Sequence, residues 1–287
     1  MRATRALAMA LFAAACGTDA ATSDAGDDPS ATLAPDAGAI DASAIDASAI
    51  AVEDLAPLVD LGPCPSGMAF IPATIDLGAF CVDRWEGYVV ELADGGVERA
   101  HSPFVVVDGI SIRAKTAAGV FPQGYISQLQ ASAACAAAGK RLCAAAEFSE
   151  ACRGPDASNH YPYGGTTHKA GYCNEGKGSS VAKFYGNDPN QWTYADFNDP
   201  KLNQWDGGLA PTASYPRCVS PYGVADCVGN LHEWGSDPAD AKGHGRFRGG
   251  FYGDAEINGP GCLYVTSAHE LSYHDYSTGF RCCAGPS

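Results

Sequence analysis

Two groups of residues in this sequence have types that could do chemistry. The tail Ala268-His269-Glu270-Leu271-Ser272-Tyr273-His274-Asp275-Tyr276 sets two imidazoles among acids. His269, His274 and one carboxylate, Asp254 or Asp275, would make the two-histidine, one-carboxylate set that suits non-haem iron. Five-residue spacing does not put both rings on one helical face, so convergence needs a loop or neighbouring strands. The second group is twelve cysteines. Setting Cys16 aside leaves an odd number, so at least one thiol is free or paired between molecules. No C-x-x-C pair occurs, which argues against zinc. Proximity pairs Cys64 with Cys81 and Cys218 with Cys227. Cys282 and Cys283 are adjacent, point to opposite faces of a strand and must take different partners. The sequence offers no nucleophile and general base at diagnostic spacing and no phosphate-binding glycine loop.

Few regular elements are available to position these groups. One helix is predicted over residues 126–138, with Gly139 as its C-terminal cap, and a second over 144–152, where Phe148 and Cys152 share a face. Short strands are predicted at 68–71, 79–82, 88–91, 104–107, 246–249 and 279–283. Glycine and proline interrupt most of residues 154–223, which predicts ordered loop held by disulfides or metal.

The chain has 287 residues, is 46% hydrophobic and carries a net charge of −15, a globular composition without the clustered Lys and Arg that nucleic acid requires. Arg2 and Arg5 precede an apolar run, Ala6 to Ala15, too short to span a bilayer but long enough for a signal peptide. Ala13-Ala14-Ala15-Cys16 resembles a bacterial lipobox, so residues 1–16 are expected to be a leader and Cys16 a lipidation site. An ordinary cleaved signal is the alternative. Both place the mature chain in the cell envelope or outside it, lipid-anchored or secreted, where disulfides persist. Residues 17–63 are rich in Ala, Asp and Ser, repeat Ala-Ile-Asp-Ala-Ser twice, lack aromatic and basic residues, and are expected to form a disordered tether. That tether holds ten acids and the leader two arginines, which leaves −7 for residues 64–287, expected to be a single domain.

Five blocks then carry a family resemblance. Ala138-Gly139-Lys140-Arg141-Leu142 with Glu147-Phe148 and Ala151-Cys152-Arg153-Gly154 is the first, and Tyr161-Pro162-Tyr163-Gly164 with Cys173-Asn174 the second. Val228-Gly229-Asn230-Leu231-His232-Glu233-Trp234, Arg248-Gly249-Gly250 and Gly279-Phe280-Arg281-Cys282 follow in order. Together they resemble the formylglycine-generating enzyme (sulfatase-modifying factor) family. The resemblance implies an α+β, C-type-lectin-like fold of low regular content, with long loops and disulfide bracing. It implies bridges from Cys135 to Cys282 and from Cys152 to Cys262. It also implies two calcium sites built from hard oxygens. One would use Asp226, the Gly229 and Leu231 carbonyls and Glu233. The other would use Asn174 and the Glu175 carbonyl, with Asp206 and the Gly208 carbonyl.

The family oxidises a substrate cysteine with oxygen, using Cu(I) held by two cysteines shortly after its Arg-Gly-Gly block. Thiolates suit Cu(I) because both are soft. Here Asp254 stands at the first of those positions and Gly259 near the second, so copper is not expected. The expected function is a calcium-stabilised binding or structural module without formylglycine-generating activity, with a protein or glycan ligand and no nucleic acid. Tyr252, Tyr264, Tyr273, Tyr276 and Trp234 would line its recognition surface. The alternative is a divergent, iron-dependent oxidoreductase.

Overall fold

A computed structural model of the chain describes residues 62–287. The leader, the Cys16 lipidation site and the tether up to residue 61 lie outside the described residues.

Three small sheets carry the domain. In the first, β1 (Met68–Ile71) pairs antiparallel with β2 (Phe80–Asp83), whose other edge pairs with β11 (Cys282–Ala284), and β11 pairs in turn with β6 (Arg141–Leu142). In the second, the order is β10 (Thr278–Gly279), β7 (His232–Trp234), β8 (His244–Arg248) and β9 (Val265–Glu270), with β10 parallel to β7. The third joins β4 (Glu98–Ala100), β3 (Gly87–Leu92) and β5 (Ile112–Thr116). The C-terminal segment is thus shared, through β10 and β11, between two sheets.

Two helices brace this arrangement. Helix α1 (Gln128–Ala137) starts at Ser127, whose hydroxyl accepts from the Gln130 amide while the Gln130 side chain accepts from the Ser127 amide. This reciprocal cap satisfies two N–H groups that would otherwise be unpaired. Gly139 ends the turn at φ 71°, a conformation glycine adopts without a Cβ penalty. Helix α2 (Ala145–Arg153) buries Phe148, Ala151 and Cys152, and the Glu147 carboxylate accepts from the Ala144 amide at its start. Residues 154–223 hold only α3 (Ser180–Tyr185), α4 (Tyr194–Phe197) and short 3-10 turns between loops.

Two strand expectations need correction. Residues 104–107 form a turn, because the Ser102 hydroxyl takes the Phe104 amide and the Ser102 carbonyl takes that of Val105, removing donors a strand ladder would need. The single strand expected over 279–283 is two, since the Phe280 carbonyl leaves the ladder to accept from Gly87.

Five disulfides tie the loops to this frame: Cys64–Cys81, Cys135–Cys282, Cys143–Cys283, Cys152–Cys262 and Cys173–Cys218. Cys282 faces α1 and Cys283 faces the loop after β6, as strand alternation requires. The expected Cys218–Cys227 pair does not form. Val219 bridges Ala225 in an antiparallel hairpin and Asp226 N–H donates to the Cys218 carbonyl, so Cys218 lies opposite Asp226 rather than Cys227. Cys227 is the free thiol among the described residues and is buried.

Candidate functional site

The loop from Asp226 to Trp234 enters the core beside Arg281, which is 1% exposed. Its guanidinium donates to both oxygens of Glu233, at 2.7 Å to Oε1 and 3.0 Å to Oε2. It also donates to the Asp83 and Ala225 carbonyls, each at 2.8 Å. Behind this pair, Glu86 accepts from the Leu231 amide at 3.0 Å and from the Asn230 side chain. Burial pushes the Glu86 carboxyl well up, helped by the neighbouring charges of Asp226 and Glu233. Burial likewise raises Glu233 against the pull of Arg281, and raises Asp226 to about 6. Asp226 Oδ2 accepts from the Ala213 amide at 2.6 Å.

These contacts redistribute the expected first calcium set. Gly229, Leu231, Asp226 and Glu233 do share one loop, but both Glu233 oxygens are occupied by Arg281. The guanidinium supplies the positive charge that a cation would have brought, so this set does not fit a calcium ion. A polar chain leads from here to the second expected set. The Asn174 side-chain nitrogen donates to Asn230 Oδ1 at 2.9 Å and to the Gly208 carbonyl at 3.0 Å. Asn174 Oδ1 is buried without a partner. A hard oxygen left unsatisfied in the core, on an amide whose nitrogen already reaches the Gly208 carbonyl, is of the kind a calcium ion takes. Asn174, the Glu175 and Gly208 carbonyls and Asp206 would hold it. Gly229 must be glycine for the two loops to meet, since a Cβ there would lie 2.1 Å from the Asn174 carbonyl oxygen.

The segment after Arg248-Gly249-Gly250 has no thiol pair. Asp254 closes a turn by accepting from the Glu256 amide at 3.0 Å and the Ile257 amide at 3.2 Å. Gly259 has φ 111°, and a Cβ there would come 2.9 Å from the Leu263 carbonyl oxygen. Cys262 is bonded to Cys152. Cys227 is held fully inside, where burial drives its thiol far up and away from thiolate.

The two-histidine set is not assembled. His269 stacks on Tyr273 with ring centroids 3.9 Å apart, at the edge of a cleft of about 320 Å³ also lined by Tyr194, Glu270 and Ser272. His274 instead bonds Asn198 at 2.9 Å, and Asp275 accepts from Ser277 and from the Tyr273 hydroxyl. Asp254 is spent on its turn. Among the described residues no three His, Cys, Asp or Glu side chains are grouped to hold a metal. The aromatic surface also needs correction: Trp234, Tyr252, Tyr264 and Tyr276 are buried, and only Tyr273 reaches partly to solvent. Tyr252 shows why, since its hydroxyl bonds Ser180, Asn203 and the Leu202 carbonyl inside the core.

Sequence reasoning missed Glu86, Asn230 and the ion-pair role of Arg281. The available signal was charge placed inside apolar runs, as in Trp85-Glu86-Gly87 and Phe280-Arg281-Cys282, where burial demands a partner.

Among solved structures, PvdO from Pseudomonas aeruginosa is 18% identical, with 72% of this chain and 80% of that one covered at a TM-score of 0.44. The U1 variant of the Major Tropism Determinant is 15% identical over 78% of this chain at a TM-score of 0.42, and the match spans 54% of that longer chain. CarF is 16% identical, with 79% and 96% covered, at a TM-score of 0.38. No curated protein sequence matches the chain. The family model for the sulfatase-modifying factor enzyme 1-like domain matches residues 88–284, and the chain belongs to that family.

Proposed function

We propose that this protein is a calcium-stabilised binding module that does not generate formylglycine. The observation that carries the reading is the turn after Arg248-Gly249-Gly250, where the family's soft-ligand pair is replaced by a carboxylate spent on its own backbone and by a glycine. Cu(I) at that place needs two thiolates, and Asp254 is a hard ligand. Cys262 is consumed in a disulfide and Cys227 is buried elsewhere in the core. Calcium bound at Asn174 would stabilise the long loops without taking part in chemistry. The chain would act at the cell envelope, held to the membrane through Cys16, and its five disulfides suit that oxidising compartment.

The test incubates the purified protein with a sulfatase-motif peptide, copper and reductant and reads the peptide mass. The cysteine peptide is expected unchanged, and appearance of the aldehyde product overturns the proposal. Membrane partition of the Cys16→Ser variant tests the anchor, with loss from the membrane fraction expected.

A further inference from the structure

Several cations of this domain meet carboxylates, and Lys201 meets both Asp199 and the Tyr185 ring. Arg113 and Lys115 pair with Glu98, Arg141 with Glu147, Arg246 with Asp237 and Arg281 with Glu233. In the long loop region, Lys169, Lys177 and Arg217 lie on tyrosine rings instead. Lys169 Nζ is 5.4 Å from the centroid of Tyr163 and 5.3 Å from that of Tyr172. The Arg217 guanidinium is 4.2 Å from the centroid of Tyr172, and Lys177 is 5.8 Å from that of Tyr215. All three cations are exposed, and among the described residues none has a carboxylate at ion-pair distance.

An aromatic ring attracts a cation through its quadrupole but leaves its net charge intact. These three cations therefore keep their full charge on a domain whose net charge is negative. Two carboxylates lie nearby and keep their charge too, Glu175 hydrogen-bonded to His168 at 2.9 Å and Glu256 to the Tyr161 hydroxyl at 2.9 Å, so the three cations outnumber them.

The geometry is also fixed in advance. Tyr172 and Arg217 immediately precede Cys173 and Cys218, and the Cys173–Cys218 disulfide holds the two backbones together so that the guanidinium meets the ring. Lys169 N–H donates to the Tyr163 hydroxyl at 3.0 Å, and Tyr163 meets Tyr172 edge-on with centroids 5.0 Å apart. Long side chains ordered before binding lose less entropy when a ligand arrives. The Tyr163 hydroxyl, which accepts from Lys169 N–H, still has its own proton to donate.

We propose that the face formed by Tyr163, Lys169, Tyr172 and Arg217, flanked by Tyr215 and Lys177, binds an acidic sugar chain. This rests on the binding-module reading and names its ligand class. A uronic or sulfated sugar offers what the face is built to take: anionic groups for the guanidinium and ammonium, and ring hydroxyls for the tyrosine OH groups, the ring faces being already covered by the cations and, for Tyr163, by Tyr161. A long, dense polyanion such as nucleic acid is disfavoured by the net negative charge of the surrounding domain.

Calorimetric titration of the full-length protein with oligogalacturonate tests the assignment, with a neutral malto-oligosaccharide and poly-glutamate as comparators. Binding of the acidic sugar alone is expected. Arg217→Ala and Lys169→Ala should each weaken it by about tenfold, with Arg217→Lys intermediate and melting temperatures unchanged. The proposal is overturned if millimolar oligogalacturonate does not bind, if poly-glutamate or the neutral sugar binds as tightly, or if the variants bind normally. The same preparation is carried through the formylglycine assay. An inert result there with no sugar binding would remove the ligand assignment and leave the binding-module reading standing.

Discussion

The loop from Asp226 to Trp234 and the segment from Tyr161 to Cys218 both carry charge, and they spend it differently. In the first, Glu233 and Arg281 meet in the core, where each ion can exist only because the other neutralises it. In the second, Lys169 and Arg217 remain in water, need no counter-ion and rest on tyrosine rings. Burial makes a charge structural by forcing it to find a partner within the fold. Exposure leaves it free to meet a partner from outside. Asn174 links the two regions through Asn230, and its Oδ1 is buried without a partner, as is Asp83 Oδ2 beside Arg281.

Three perturbations should separate the regions, and the largest effect belongs to the core pair. Arg281→Leu leaves Glu233 buried and unpaired, so the urea midpoint should drop by the equivalent of about 3–5 kcal/mol. Adding Glu233→Leu should recover most of that loss. By contrast, Arg217→Ala should change stability by no more than about 0.5 kcal/mol. Equal losses from the two arginines would erase the distinction drawn here.

Calcium removal comes next. A chelator should lower the melting temperature, because a ligand held at a hundred times its dissociation constant stabilises the native state by about 2.7 kcal/mol. Asn174→Ala should abolish the chelator response, and the Arg281→Leu, Glu233→Leu double variant should retain it. Retention of the response in the Asn174 variant would relocate the ion.

The last effect is in the pH dependence, where two buried groups act with opposite sign and largely offset each other. Burial raises the Asp226 carboxyl to about 6, so the folded chain keeps a proton that the unfolded chain releases near pH 4. Its contribution to stability is complete below about pH 4 and is lost as pH rises through about 6. Asp226→Asn keeps an oxygen for the Ala213 amide and should flatten that fall. His232 has the opposite sign: burial lowers its imidazole to about 3, so its contribution is present above about pH 6.5 and is lost as pH falls. His232→Gln should flatten that rise. Urea midpoints of both variants, measured against the parent from pH 4 to 8, should diverge in opposite directions.

Local chemistry was legible in the sequence. Gly139 ends a helix, Phe148 and Cys152 share a face, and adjacent Cys282 and Cys283 must separate, because capping, helical period and strand alternation are properties of neighbours. That Asp254 and Gly259 offer no thiol was legible too, since it depends on residue identity. Pairing across the chain was not. Hairpin register places Cys218 opposite Asp226 and sends its sulfur to Cys173, a choice that spacing cannot express. Tyr252, Tyr264 and Tyr276 went into the core, while Tyr163 and Tyr172 stayed near the surface beneath cations. Residue type fixes what an aromatic ring or a carboxylate can do. Only tertiary packing decides which of them loses water and which partner then satisfies it, because burial is set by contacts between residues as distant as Glu86 and Asn230.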